Sequence, residues 1–187
     1  MHNDIKQAVQ TLRQGGAILY PTDTIWGLGC DATNEEAVNR IFKIKERTGC
    51  KSMMVLVSDI GMLQGYIKEL PDIAWDLIEY AEKPLTLIFD NARNLAPSII
   101  AEDGSIGIRV VQDEFARRLI ERFRKPIVST SANISGEPYP DFFDDISEEI
   151  KEQVDYIVNW RQEDRTPHDP SSIIKLKSNG AFNLIRK

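Results

Sequence analysis

The sequence is poor in the residues that form covalent or metal-centred sites. Its 187 residues include only two cysteines and two histidines. Cys30 and Cys50 are too few for a disulfide framework, and His2 and His168 stand at no metal-ligand spacing from either cysteine. These absences argue against a zinc site and against a Ser-His-Asp triad, and the sequence predicts no protein-held metal.

Long apolar runs and an excess of positive charge are missing as well. The apolar stretch at 53–57 is far too short to cross a bilayer, and residues 1–6 carry charge and lack the apolar segment of a signal peptide. Lys and Arg total 23 against 29 Asp and Glu, a net charge of −6. That balance opposes generic affinity for polyanions but leaves room for a local basic groove. We therefore predict a cytoplasmic protein with no membrane contact.

What is present favours one α/β domain over residues 1–187. Hydrophobic residues make up 42% and charged residues 28%, which is ordinary globular usage. Apolar periodicity alternates between types: helices are predicted at 4–13, from Asn34 to 45 or 47, at 73–80 and at 113–123, and strands at 17–20, 53–57, 85–89, 105–111, 126–130, 172–176 and 181–185. The short connection at Gly180 predicts a hairpin and hence mixed strand pairing.

No P-loop exists, and Gly27-Leu28-Gly29 lacks the third glycine of a dinucleotide fingerprint.

Two polar clusters directly follow predicted strands. Residues 21–27 (PTDTIWG) offer two threonine hydroxyls and the wall of Trp26, at the sheet edge where ligands of α/β proteins bind; an ordinary turn with local hydroxyl bonds explains them equally well. Residues 129–136 (STSANISG) are mostly hydroxyls and amides. Their small side chains let backbone N–H groups approach an anion, so a binding loop is favoured slightly over a plain polar loop.

Cations form the third cluster, at the end of a predicted helix. Lys43, Lys45, Arg47 and Lys51 lie there, where simple capping by the helix dipole explains them. A lysine beside the planar fork of an arginine is also the pairing that grips a polyphosphate. Arg109 stands in an otherwise apolar strand, and by itself it is most simply an exposed strand residue.

Six segments taken in order carry a resemblance to a known family. They are PTDTIWGLG, KIKER, KPLTLIF, SIGIRV, STSANISG and DPSSII, and together they resemble the YrdC/TsaC family from about Gly15 to the end of the chain. The resemblance implies a YrdC-like fold, a twisted mixed sheet flanked by helices around a positively charged cavity. It also implies nucleotidyl transfer: L-threonine, bicarbonate and ATP would give L-threonylcarbamoyladenylate and pyrophosphate, the first step of the t6A modification of tRNA.

The family pattern also assigns roles to individual positions. It implies that Lys45 and Arg47 are catalytic and hold the phosphates and the carbamate. It places Thr24, Arg109 and Ser171 on L-threonine, and Arg47, Lys51, Ser105, Ser131, Asn133 and Arg186 on ATP. Mg²⁺ would arrive with the ATP phosphates, and tRNA or a downstream threonylcarbamoyl transferase complex would be a further partner. Departures from the pattern fall at Trp26, Thr48, Ser52 and Val111.

Three alternatives stay open on the sequence. The basic run at Arg117, Arg118, Arg122, Arg124 and Lys125 would suit an RNA-binding module, although a solvated helix face explains it more simply. A carbamoyl-adenylate module of the kind found in carbamoyltransferases would use carbamoyl phosphate in place of L-threonine. The departures in the loops would also suit a catalytically weak paralogue.

Overall fold

The computed structural model describes residues 1–46, 53–177 and 180–187. In these residues one mixed sheet carries nine strands, in the order β7-β1-β2-β6-β3-β5-β4-β8-β9. The strands are β1 (Ile18–Tyr20), β2 (Gly27–Gly29), β3 (Met54–Val57), β4 (Leu85–Phe89), β5 (Ile106–Val110), β6 (Ile127–Ser131), β7 (Tyr156–Ile157), β8 (Ser172–Leu176) and β9 (Phe182–Arg186). Pairing is parallel for β1 with β7, β3 with β5 and β4 with β8, and antiparallel elsewhere. The predicted mixed sheet and the β8–β9 hairpin are confirmed.

Helices cover both faces of the sheet. They are α1 (His2–Arg13), α2 (Glu35–Ile44), α3 (Ile60–Leu63), α4 (Asp72–Glu79), α5 (Glu114–Phe123) and α6 (Glu148–Gln153). The Asn34 side chain accepts hydrogen bonds from the backbone N–H groups of Glu36 and Ala37, and this cap fixes the start of α2 where the sequence predicts it. Asp113 caps α5 in the same way.

Apolar side chains that alternate along the strands build two cores. Leu19, Val55 and Val128 belong to the core beneath α2, whereas Ile18 and Ile127 belong to the core that α1 and α5 cover. Because successive strand residues point to opposite faces, a strand buried on both sides reads as a continuous apolar run. The sequence therefore predicts these strands well.

Strand β2 is the principal element that the sequence pattern misses. Two of its three residues are glycines, which weaken a strand. A Cβ added at Gly29 would lie 2.7 Å from the Tyr20 ring and 2.9 Å from the Val128 carbonyl oxygen. Glycine is needed here so that β2 can pass between β1 and β6. The short elements α3, α6 and β7 also escape prediction.

No helix in the described ranges is both long and apolar enough to cross a membrane.

Candidate active site

A cavity of about 480 Å³ opens where β2, β3, β5 and β6 approach one another. Registered pairs bring Met54 beside Ser129 and Gly27 beside Ser131, and the loops after β1 and β6 close the sides. Its lining is Thr24, Ile25, Trp26, Gly27, Lys45, Met53, Met54, Arg109, Ser129, Thr130, Ser131, Asn133, Ser135, Gly136, Tyr139, Pro170, Ser171, Ile173 and Arg186. Hydroxyl groups and cations therefore face one space.

The charged groups of this lining are of one sign. Lys45, Arg109 and Arg186 contribute cations, and among the described lining residues there is no Asp or Glu. These cations contrast with the net charge of −6 of the whole molecule, although the Asp23 carboxylate offsets part of the Arg109 charge. The cavity is thus suited to an anionic ligand.

Thr24 lies in the turn between β1 and β2, and internal hydrogen bonds hold this turn. Its hydroxyl is 2.9 Å from that of Thr22, and its backbone N–H donates to the same Thr22 oxygen at 3.1 Å. The Thr22 hydroxyl in turn donates to the Ile25 carbonyl oxygen at 2.9 Å. The local bonding that the sequence offers as an alternative is therefore present, and the turn also faces the cavity.

Arg109 lies on β5, lines the cavity and is only 2% exposed. Its Nη2 atom lies 3.1 Å from Oδ1 of Asp23, and Asp23 also accepts the backbone N–H of Gln112 at 3.2 Å. Burial lowers the pKa of the Arg109 guanidinium, against the opposing effect of Asp23. The group stays a cation because an arginine is not deprotonated in proteins. An ordinary exposed strand arginine, the simpler expectation, is thus wrong for this position.

Lys45 ends α2 and is held inside the protein, 3% exposed. Its ammonium donates to the carbonyl oxygens of Ser131 and Asn133 at 2.5 and 2.6 Å. The Lys45 carbonyl oxygen accepts the Ser135 N–H at 2.9 Å. The Asn133 amide donates to the carbonyl oxygens of Ile134 and Glu137. Lys45 therefore shapes the loop after β6 as well as charging the cavity.

Ser171 and Arg186 line the cavity from the segment before β8 and from β9. Arg186 donates through Nε and Nη2 to the Ser171 carbonyl oxygen, at 3.0 and 2.7 Å. The Ser171 hydroxyl lies 2.8 Å from that of Thr86 on β4. These hydrogen bonds connect three elements at the edge of the cavity: β4, β9 and the segment that precedes β8.

Seven of the ten predicted site residues line this one cavity, namely Thr24, Lys45, Arg109, Ser131, Asn133, Ser171 and Arg186. Ser105 does not: it lies just before β5, and its hydroxyl donates to Asp103. Arg47 and Lys51 lie outside the described residues, as do Thr48 and Ser52.

Other lining residues are absent from the prediction. Ser129 and Met54 line the cavity from neighbouring strands, and Tyr139, 43% exposed, stands at its rim. Asp23 matters through its contact with Arg109, and its place between two threonines of the first polar cluster is the signal that could have found it. Tyr139 has no comparable signal, because a rim residue depends on how its loop folds back.

Metal-binding and thiol chemistry find little support in the described part of the chain. It contains no group of three His, Cys, Asp or Glu side chains placed to hold a metal ion. Cys30 is buried, and burial raises the pKa of its thiol, which favours the unreactive protonated form.

Comparison with known proteins places this geometry in a family. A family model for Sua5, YciO and YrdC proteins, described as telomere recombination, matches residues 10–187. The chain belongs to the Sua5/YciO/YrdC family. One relative is a threonylcarbamoyl-AMP synthase from Pseudoalteromonas translucida. It is 33% identical over 158 residues, which cover 83% of this chain and 84% of the relative.

Two solved structures of Sua5/YciO/YrdC proteins share the fold. P. abyssi Sua5 complexed with L-threonine superposes with a TM-score of 0.82 at 29% identity, over 92% of this chain and 50% of that one. E. coli YciO gives a TM-score of 0.85 at 25% identity, over 100% of this chain and 90% of YciO. This chain therefore spans about half the length of P. abyssi Sua5 but nearly the whole of YciO.

Proposed function

We propose that this chain is an L-threonylcarbamoyl-AMP synthase. It would convert L-threonine, bicarbonate and ATP into L-threonylcarbamoyl-AMP and pyrophosphate, the first step of t6A formation in tRNA. Similarity to a threonylcarbamoyl-AMP synthase over most of both chains supports the activity, and the L-threonine complex of P. abyssi Sua5 supports the amino-acid substrate.

The observation that carries the proposal is the gathering of distant residues around one cavity. Thr24, Arg109 and Ser171, the residues expected on L-threonine, line the same space as Lys45 and Asn133, expected near ATP. Its volume of about 480 Å³ is in the range of small-molecule sites. Two substrates held there would meet without leaving the protein.

At the amino-acid end, Arg109 would bind the carboxylate. A planar guanidinium matches a carboxylate in geometry, and a charge-assisted hydrogen bond is stronger than a neutral one. The Nε atom of Arg109 is buried and has no hydrogen-bond partner among the described residues, so the guanidinium has donor capacity beyond its ion pair with Asp23. Thr24 and Ser171 would supply hydroxyl contacts to the rest of the amino acid.

At the nucleotide end, the loop after β6 and its lysine would receive ATP. Lys45 and Arg186 would offset phosphate charge, while Ser131 and Asn133 would contribute hydrogen bonds. The described lining offers hydroxyl and amide oxygens but no carboxylate, so Mg²⁺ would enter as part of the substrate MgATP, with most of its coordination from phosphate and water.

The chemistry asks mainly for positioning. The threonine amine forms a carbamate with CO₂, losing a proton, or with bicarbonate, losing water, and one carbamate oxygen then attacks the α-phosphorus. As the new P–O bond forms, the bond to the β-phosphate oxygen breaks and pyrophosphate leaves with that electron pair. Alignment of nucleophile and phosphorus supplies much of such rate enhancements, up to about 7–11 kcal/mol, and nearby cations stabilise the developing charge.

The RNA-binding alternative gains no support from helix α5. Arg117 pairs with Glu121, and Arg118 pairs with Glu114, both as i,i+4 contacts on an exposed face. Lys125 pairs with Asp31. These carboxylates offset the basic run locally, as on a solvated helix. Contact with tRNA or with a downstream transferase complex, and cytoplasmic residence, stay predictions.

The decisive experiment measures pyrophosphate release from ATP by the purified chain. We expect release only when L-threonine and bicarbonate are both present, with L-threonylcarbamoyl-AMP identified by mass spectrometry. Replacing L-threonine with carbamoyl phosphate should give no release, because that substrate would mark a carbamoyl-adenylate module. Release that ignores L-threonine, or none with the full substrate set, would contradict the proposed function.

A further inference from the structure

In the turn of residues 22–25, two hydroxyl groups form linked hydrogen bonds in which the donor of each bond can be assigned. The Thr22 hydroxyl oxygen has three neighbours: the Ile25 carbonyl oxygen at 2.9 Å, the Thr24 hydroxyl oxygen at 2.9 Å and the Thr24 backbone nitrogen at 3.1 Å. Both threonines are almost fully buried, at 2% and 6% exposure. In such a place each short polar contact needs a proton between its two atoms.

The Ile25 carbonyl oxygen determines which atom donates in each of these hydrogen bonds. A carbonyl oxygen has no proton to give, and a hydroxyl has one, so the contact at 2.9 Å uses the only proton of Thr22. The Thr22 oxygen is then left as an acceptor, first for the Thr24 backbone N–H and second for the Thr24 hydroxyl. The proton of the Thr24 hydroxyl is thereby committed to Thr22, away from any ligand.

We propose that Thr22 is a positioning residue that fixes the Thr24 hydroxyl as a hydrogen-bond acceptor toward the cavity. This inference rests on the proposed function and deepens it: the amino acid must present an N–H or O–H donor to Thr24. Thr22 does not line the cavity, so it acts through the two lining residues that its hydroxyl contacts, Thr24 and Ile25.

The same turn also contacts a hydrogen-bond donor, through Asp23. Asp23 pairs with Arg109, whose guanidinium can only donate. The amino-acid end of the cavity therefore offers a donor at Arg109 and an acceptor at Thr24, which complement a carboxylate and a neighbouring amine or hydroxyl of one α-amino acid. Arg161 secures the turn from outside, since its Nη1 atom donates to the Thr22 carbonyl oxygen at 3.2 Å.

Two substitutions at one position separate the hydroxyl from the shape of the side chain. Thr22→Val keeps the branched shape and removes the hydroxyl, which frees the proton of Thr24. Thr22→Ser keeps the hydroxyl and removes only a methyl group. We expect KM for L-threonine to rise about tenfold in Thr22→Val, the effect of one hydrogen bond, and KM for ATP to change less than about twofold. Thr22→Ser should restore most of the parent affinity for L-threonine.

Substrate analogues identify which donor Thr24 accepts. L-Valine keeps the amine of L-threonine and has a methyl group in place of the hydroxyl. If Thr24 accepts the substrate hydroxyl, Thr22→Val lowers the preference for L-threonine over L-valine; if it accepts the amine, KM rises in parallel for both. Either pattern supports the acceptor role. An unchanged KM for L-threonine in Thr22→Val, or equal impairment of Thr22→Ser, overturns it.

Two controls keep this test separate from folding and from the proposed function. Thr22→Ala removes the same hydroxyl with less steric demand and should reproduce the selective effect if Thr22→Val does not fold. Calorimetric titration with L-threonine alone measures the same affinity without catalysis. If the parent protein released no pyrophosphate, the proposed function would be wrong, but the titration would still test the role of Thr22. If the parent protein bound no L-threonine, both proposals would be wrong.

Discussion

The cations of the cavity and those of helix α5 differ in what surrounds them. Arg109 and Lys45 are buried, and defined protein groups hold each of them. Arg117 and Arg118 are about half exposed, beside glutamates one helical turn away. Water screens the second pair of charges, whereas it is largely excluded from the first. The basic run that is conspicuous in the sequence is therefore the less consequential one.

Breaking the buried ion pair tests this contrast most severely. Arg109→Met leaves the Asp23 carboxylate buried without its cation, and losing one partner of such a pair costs about 3–5 kcal/mol. We expect that loss in the free energy of unfolding, measured with urea, together with loss of L-threonine-dependent pyrophosphate release.

A double variant separates stability from activity. Asp23→Leu combined with Arg109→Met removes both charges, so most of the lost stability should return, while pyrophosphate release should stay absent. If the double variant recovered activity, Arg109 would have no role in substrate binding.

Lys45 tests whether a cavity cation also supports a loop. Lys45→Met leaves two carbonyl oxygens of the loop after β6 without their donor. Because each hydrogen bond to a charged group contributes about 1.5–3 kcal/mol, we expect a loss on the order of 3 kcal/mol and a raised KM for ATP.

Lys6→Met is the matched control, since Lys6 is exposed on α1. It should leave urea unfolding and both KM values at parent levels. Equal behaviour of the Lys45 and Lys6 variants would show that burial of Lys45 has no functional weight.

Asp4 extends the comparison to a buried carboxylate far from the cavity. Burial alone would raise its pKa, but hydrogen bonds from Asn159 and Tyr156 outweigh that effect and hold the pKa below its usual value. Because the pKa of Asp4 is lower in the folded than in the unfolded state, its carboxylate stabilises the fold at pH values above the unfolded pKa. This contribution is lost as the pH falls through the folded pKa.

Asp4→Asn should therefore cost about 1 kcal/mol at pH 7, where the charge assistance to these hydrogen bonds is lost together with the ion pair between the Asp4 carboxylate and the Met1 ammonium. The gap between parent and variant should narrow as the medium becomes acidic, in urea unfolding measured from pH 7 down to pH 3. A gap that stayed constant with pH would show that the charge of Asp4 is not what stabilises α1.

The smallest effect is expected on the exposed face of α5. Arg118→Ala breaks one i,i+4 pair, which contributes about 0.3–0.5 kcal/mol, and should leave pyrophosphate release unchanged. A marked loss of activity here, or of tRNA retention at low salt, would reverse the ranking of the two regions.

Local patterns predict most of the fold, because each core strand is an apolar run and two main helices begin at capping side chains. Prediction fails at β2, where glycine serves packing against Tyr20 and Val128, a requirement visible only in three dimensions. For the site, the ordered motifs indicate which residues gather, but their partners stay hidden. That Asp23 pairs with Arg109, and that Lys45 reaches Ser131, depends on contacts that a turn and a helix end make with strands distant in the chain.

The order of the strands also governs how activity returns after denaturation. Strand β2 lies beside β6, and β4 beside β8, so neighbours in the sheet are far apart along the polypeptide. Such non-local pairing slows the conformational search. Catalytic competence should consequently be among the last properties regained on dilution from urea, well after helical circular dichroism has recovered.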